Sequence, residues 1–173
     1  MKIKGITILV ALSLTSAFAQ HGSDQPSMSD CPMMSTEHAA AVDAHGDEAM
    51  GFSHAKTIHH FRMFRDGGAI EVVANDANDS GSRDQIRVHL KHIVVMFGEG
   101  NFNIPMFVHD QMPDGAATMQ EMKDMISYHF QETEKGGQVR ITTKDPKALA
   151  AIHEFMRFQI REHHTGDPNE VSE

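Results

Sequence analysis

Histidine, methionine and cysteine carry most of the chemistry this chain can offer, with 13 His, 13 Met and one Cys among its 173 residues. Four of the histidines fall in one stretch: His59 and His60 in TIHHFRMF, then His89 and His92 in RDQIRVHLKHIVVMF. Neutral imidazole and thioether are donors for transition metals, so a metal site is the first chemistry to consider. Two imidazoles at i and i+3 share one side of a helix and can bind one ion together. His59 adds a third nitrogen if its strand lies beneath that helix, and Met96, one turn beyond His92, adds a sulfur. Met106 and His109 stand ready to close the site from the segment that follows. The methionines put copper first, with zinc and haem iron behind it.

A second group of soft donors precedes residue 53. Met28, Cys31, Met33 and Met34 lie close together, with His21 upstream. If the chain is cleaved after Ala19, His21 becomes the second residue, where a free amine, a deprotonated amide and an imidazole together suit Cu(II); Gln20, which can cyclise and lose its amine, weakens this. Cys31 has no second cysteine in the chain, so it is a free thiol, an intermolecular bridge or a metal thiolate. The expectation is a tail that captures an ion and a folded rim that holds it.

The elements that must position these residues follow from periodicity. Thr57 to Phe64 alternates apolar and polar residues, Gly67-Gly68 reads as the positive-φ pair of a hairpin, and Ala69 to Asn75 alternates again. Ile86, Leu90, Ile93, Val94 and Phe97 recur at helical spacing from about Ser82 or Arg83. Alternation puts His59 on the face of Phe61 and Met63 and turns His60 away. On the helix, His89, His92 and Met96 run along one edge of the apolar stripe, at the rim of the core.

The pattern recurs 69 residues later: His129-Phe130, Gly136-Gly137 and an alternating strand, then a helix starting at Asp145-Pro146, an N-cap followed by proline at the first helical position. Between the two copies, Asn103 to Val108 reads as an extended run held off central-strand status by Pro105. Gly115 to about Met125 reads as a helix with Met119, Met122 and Met125 along one side, a pliable core or contact surface. The expected architecture is α+β: an antiparallel sheet from two β-hairpins, covered on one face by helices, as a pseudo-repeat of ββα units. Its single domain spans 53–166, with halves at about 57–98 and 126–164 and a tail at 167–173. His60 and His129 read as residues of the outer sheet face, and His153, His163 and His164 as solvated or dipole-favouring groups late on the last helix.

Residues 1–19 have the form of a secretory signal peptide, with Lys2 and Lys4 before an apolar run and Ala17-Phe18-Ala19 as a cleavage site. Residues 20–52 read as a flexible linker, with a short helix at Thr36 to Ala44. Removing the leader changes the formal charge from −9 to −11, with 13 basic against 24 acidic residues. That acidity argues against nucleic acid and anionic membrane surfaces. No later stretch is apolar enough to span a bilayer, so the expected location is the periplasm or the exterior. No nucleophile elbow, zinc-protease helix, phosphate loop or haem-attachment motif is present.

The run MGFSHAKTIHHF with DGGAIEV following resembles a set of small secreted bacterial proteins of no established activity. The resemblance covers nearly the whole folded part and implies no mechanism, cofactor or catalytic residue. The tail is loosely similar, in composition alone, to periplasmic copper-handling proteins rich in His and Met. The functional expectation is a transition-metal protein for buffering, delivery or tolerance. A non-catalytic small-molecule or protein-binding module, with a partner or second copy meeting the methionine-bearing surface, is the alternative. A haem or mononuclear-metal oxidoreductase comes third.

Overall fold

Two hairpins set the frame. Alternating apolar residues build β1 (Thr57–Phe64) and β2 (Gly67–Ala74), then β3 (Ile126–Thr133) and β4 (Gly136–Thr143). Each hairpin feeds a helix, α2 (Ser80–Gly98) after the first and α5 (Pro146–Glu162) after the second. The computed structural model describes residues 32–172, with side chains from Thr36 onward. The proposed leader, His21, Met28 and Cys31 lie outside the described residues; Met33 and Met34 enter only as backbone positions of the first helix.

The sheet order is β3-β4-β2-β1-β5, with β5 (Val171–Ser172) adding a short parallel edge beside β1. The fold is α+β, as the alternation and the two helical patterns imply. In the first hairpin His59 pairs with Val72, and in the second Tyr128 pairs with Ile141, so the same offset of 69 carries one pairing onto the other. One core cluster joins Phe61, Met63, Ile70 and Val72 to Tyr128, Val139 and Ile141, with Ile86, Leu90, Ile93, Phe97, Ile152, Phe155 and Met156 from the helices above. Contacts place α2 chiefly over β3 and β4, while α5 meets β1, β2 and β4.

The glycine pairs serve the sheet rather than the turns. The two-residue turns are Arg65-Asp66 and Glu134-Lys135, and both glycine pairs open strands. A Cβ on Gly67 would sit 2.0 Å from the Ile141 carbonyl oxygen, and one on Gly136 would sit 2.1 Å from that of Val72. The requirement is close approach of β2 and β4 at the centre of the sheet, which only a residue without Cβ allows.

Three other segments differ from the sequence reading. Residues 32–50, read as linker with a short helix at Thr36 to Ala44, form the longer helix α1 (Pro32–Met50). Its alanines favour helix, and buried Val42 anchors it on α3 (Asn103–His109), the segment read as extended. Pro105 occupies the first turn of α3, where a missing N–H costs nothing, and Asn101 accepts from the Asn103 amide through its side chain. The third is the tail. Asp167 turns back to accept hydrogen bonds from the Phe61 amide and the His60 ring, both at 2.9 Å, before β5 pairs with β1. The middle helix is shorter than expected, α4 (Ala116–Glu121) and then a 3-10 turn at Lys123–Met125.

Helix starts follow local chemistry. Asp145 caps α5 through the amides of Lys147 and Ala148, with Pro146 in the first turn. Asp79 caps α2 by accepting from the Ser82 amide, which fixes its start two or three residues earlier than expected.

Candidate functional site

A pocket opens where six elements meet. Its floor is His59 and Phe61 of β1 with Ile70 and Val72 of β2, and its sides are His89, Leu90, Ile93 and Phe97 of α2 and Phe155, Gln159 and His163 from α5 and its C-terminal cap. Gly46 and Met50 of α1 and Ile104, Pro105, Val108 and His109 of α3 complete it. The pocket encloses about 550 Å³ of empty space, open mouth included. The part of it that a water-sized sphere's centre can occupy is about 70 Å³, below the ~300–1,000 Å³ of drug-sized sites, so the pocket suits only a small ligand.

None of the residues lining it is Asp, Glu, Lys or Arg; the polar groups are four imidazoles and one amide. The imidazoles form a connected series. The His59 ring stacks on His163 at 5.7 Å between centroids and 9° between planes, and His163 meets His109 edge-on at 5.0 Å. Phe52 bridges to the fourth, 6.3 Å from the His59 ring and 5.6 Å from His89.

The surroundings hold these rings neutral. Burial, followed by the nearby His89 and His60, pulls His59 down to about 4, and burial with His92 pulls His89 down to about 4 as well. His163 falls well below its ordinary value through burial, then through His59 and His109. Burial also lowers His109, against the opposing pull of its hydrogen bond to Gln159. A neutral imidazole offers one N–H and one lone pair, so the pocket presents donors and acceptors without charge.

The sequence candidates divide. His59, His89 and His109 line this pocket. His92 is exposed on α2 and shares a separate surface groove with His89 and Met50, so no one pocket holds the His59, His89, His92 trio. Met96 packs partly buried against the core, and Met106 is exposed. The methionines of the middle segment do not form one surface: Met119 is in the core, Met122 partly buried and Met125 exposed. Among the described residues no three His, Cys, Asp or Glu side chains are arranged to hold an ion. Stacked rings present faces to one another, whereas a metal-nitrogen bond of ~2.0–2.1 Å forms along an in-plane lone pair. Ligation by His59 and His163 therefore asks at least one ring to turn.

His163 and Gln159 are the pocket residues that the sequence reading missed. Both continue the buried stripe of α5 through Ile152 and Phe155 at helical spacing, and polar residues on an apolar stripe were the available signal. Three of the other histidines have structural partners: His153 shares its Nε2 proton between the carbonyls of Phe64 and Gly67, His60 pairs with Asp167, and His54 pairs with Asp43 and Asp47.

Fold and site together define an α+β protein with an uncharged pocket lined by imidazoles. No protein-family model matches the chain, and neither the curated proteins nor the solved structures contain a match. Among the described residues no helix is long and apolar enough to cross a membrane.

Proposed function

We propose that the folded part of this chain is a binding protein whose pocket takes a small neutral ligand with a largely apolar body. The observation that supports this most is the lining itself, aromatic and aliphatic walls with a few polar groups and no ionic side chain. A charged ligand would lose its hydration there and find no opposite charge. A neutral one gains apolar contact and keeps its hydrogen bonds. The leader-like sequence of residues 1–19 supports a role outside the cytoplasm, in the periplasm or beyond the cell.

Toluene is a suitable first probe. At about 100 times its dissociation constant it stabilises the protein by about 2.7 kcal/mol and raises Tm by several degrees. Gly46→Leu fills the pocket from α1 and removes that rise, with circular dichroism checking that the variant folds. No shift in the wild type, or an equal shift in Gly46→Leu, overturns the proposal.

Transition-metal binding, copper first, is a second reading, favoured by one observation: His59, His163, His109 and His89 share the pocket with the thioether of Met50. Neutral imidazoles need no deprotonation before they ligate. Titration of metal-free protein with Cu(I), Cu(II) and Zn(II) tests it. A site abolished by His163→Ala and retained by His92→Ala supports the reading, and stoichiometry unchanged by His163→Ala rejects it.

A further inference from the structure

Three of the pocket imidazoles keep their ring nitrogens unengaged. His59, His89 and His163 are each half-buried, and among the described residues no hydrogen bond reaches their rings. His59 and His163 lie together, parallel within 9° at 5.7 Å, with Phe61 beside them at 6.3 and 5.6 Å. The titratable groups around this pair are imidazoles on every side: His89 on α2, His109 on α3, His60 next on β1, His54 just before that strand and His164 next after His163. The lining residues of α1 and β2, Gly46, Met50, Ile70 and Val72, carry no ionisable group. The carboxylates nearby are engaged elsewhere. Glu162 accepts from His38 of α1 at 2.8 Å and from Arg161 at 3.1 Å, Asp167 holds His60, and Asp43 and Asp47 hold His54.

A proton placed on this pair therefore meets no counter-charge in the protein. At neutral pH that cost keeps the rings uncharged and the pocket closed to anions. An anion that arrives with the proton removes the cost, because an imidazolium N–H and an anion make a charge-assisted hydrogen bond. We propose that the His59–His163 pair makes the pocket a proton-coupled anion site, which takes up one proton and one small monovalent anion together in acid and gives up its neutral ligand. The anion is a weakly hydrated one, since the walls are apolar and a strongly hydrated ion loses more on entry. The room, about 70 Å³ for the centre of a water-sized sphere, limits it to a few atoms.

The inference rests on the pocket being a ligand site, and the test separates the two. Thiocyanate, the anion of a strong acid, is titrated into the full chain by calorimetry between pH 7.5 and pH 5.5 at constant ionic strength, with and without toluene. The histidine ring nitrogens are followed by NMR. One proton entering with each anion raises the affinity about tenfold for each unit the pH falls, or about a hundredfold over the range. The His59 and His163 nitrogens move to imidazolium positions as thiocyanate saturates, and toluene weakens its binding. The paired variant His59→Gln with His163→Gln loses the pH dependence, with circular dichroism checking the fold. If that variant fails to fold, the wild-type ring resonances carry the test alone. Toluene binding while thiocyanate affinity is absent or flat with pH, the two rings staying neutral, or a pH dependence retained in the paired variant overturns the inference and leaves the neutral-ligand pocket standing. If neither probe binds at any pH, both fall.

Discussion

His59 and Tyr128 hold the same register place in their two hairpins, and the molecule treats them in opposite ways. Tyr128 is packed edge-on against Phe97 at 5.9 Å beneath α2, its hydroxyl has no partner, and burial pushes that hydroxyl well above its ordinary pKa. It is filler. His59 instead faces a gap, because α1 and α3 stand over that end of the sheet and leave space that three further imidazoles enter. The difference shows what makes a pocket here: the strands are alike, and the cover decides whether an inward side chain is buried in packing or set at a cavity.

Breaking the pillar shared by both regions has the largest effect. Phe97 touches Phe102, Tyr128 and Phe155 and lines the pocket, so Phe97→Ala costs about 3–5 kcal/mol by denaturant melt and erases the contrast between the two ends. Acid acts on the pocket side next. An unfolded imidazole titrates near 6.5, whereas His59 and His89 hold theirs at about 4, so between those values the unfolded chain binds more protons. Stability is full above about pH 6.5, falls as pH drops and loses on the order of 3 kcal/mol by pH 4, discounted for coupling between the two rings. His59→Phe flattens that slope between pH 6.5 and 4, whereas His129→Phe, at an exposed place on the other hairpin, leaves it unchanged. An unaltered profile in His59→Phe removes the imidazole pocket from the acid response. Asp47 and Asp167, held low by hydrogen bonds that outweigh burial, give up their contributions at still lower pH as they protonate.

Asp167→Ala strips acceptors from the Phe61 amide and the His60 ring and costs about 1–3 kcal/mol, with faster amide exchange at Phe61. Tyr128→Phe removes an unpartnered hydroxyl and leaves stability within about 1 kcal/mol of the parent, on the stable side. Gly46→Ala is the mildest. Its added Cβ meets only the flexible end of Met50 at 3.3 Å, so α1 gains about 0.5–1 kcal/mol as the pocket narrows.

Much of the frame was legible, and for definite reasons. Alternation in TIHHFRMF places β1 at Thr57–Phe64 and His59 on its inner face, and Asp145-Pro146 marks the start of α5. The roof was not legible. Pro105 reads equally as a strand breaker and as a first-turn helix residue, and α1 shows too little amphipathic contrast to announce a buried side, since alanine suits solvent and interface alike. Without α1 and α3 in place, His89 and His92 look equivalent. Their fates separate only when Phe52 comes to rest against the His89 ring. Gln159 and His163 were passed over because polar residues late on a helix ordinarily face water, and here the pocket brings them inside.

The most direct measurement follows the ring nitrogens of His59, His89, His109 and His163 by NMR at pH 7 while toluene is added. The account predicts four neutral rings whose resonances shift together and saturate, with those of His92 and His129 still. Charged rings at that pH, or shifts no larger at the four than at His92 and His129, would contradict it.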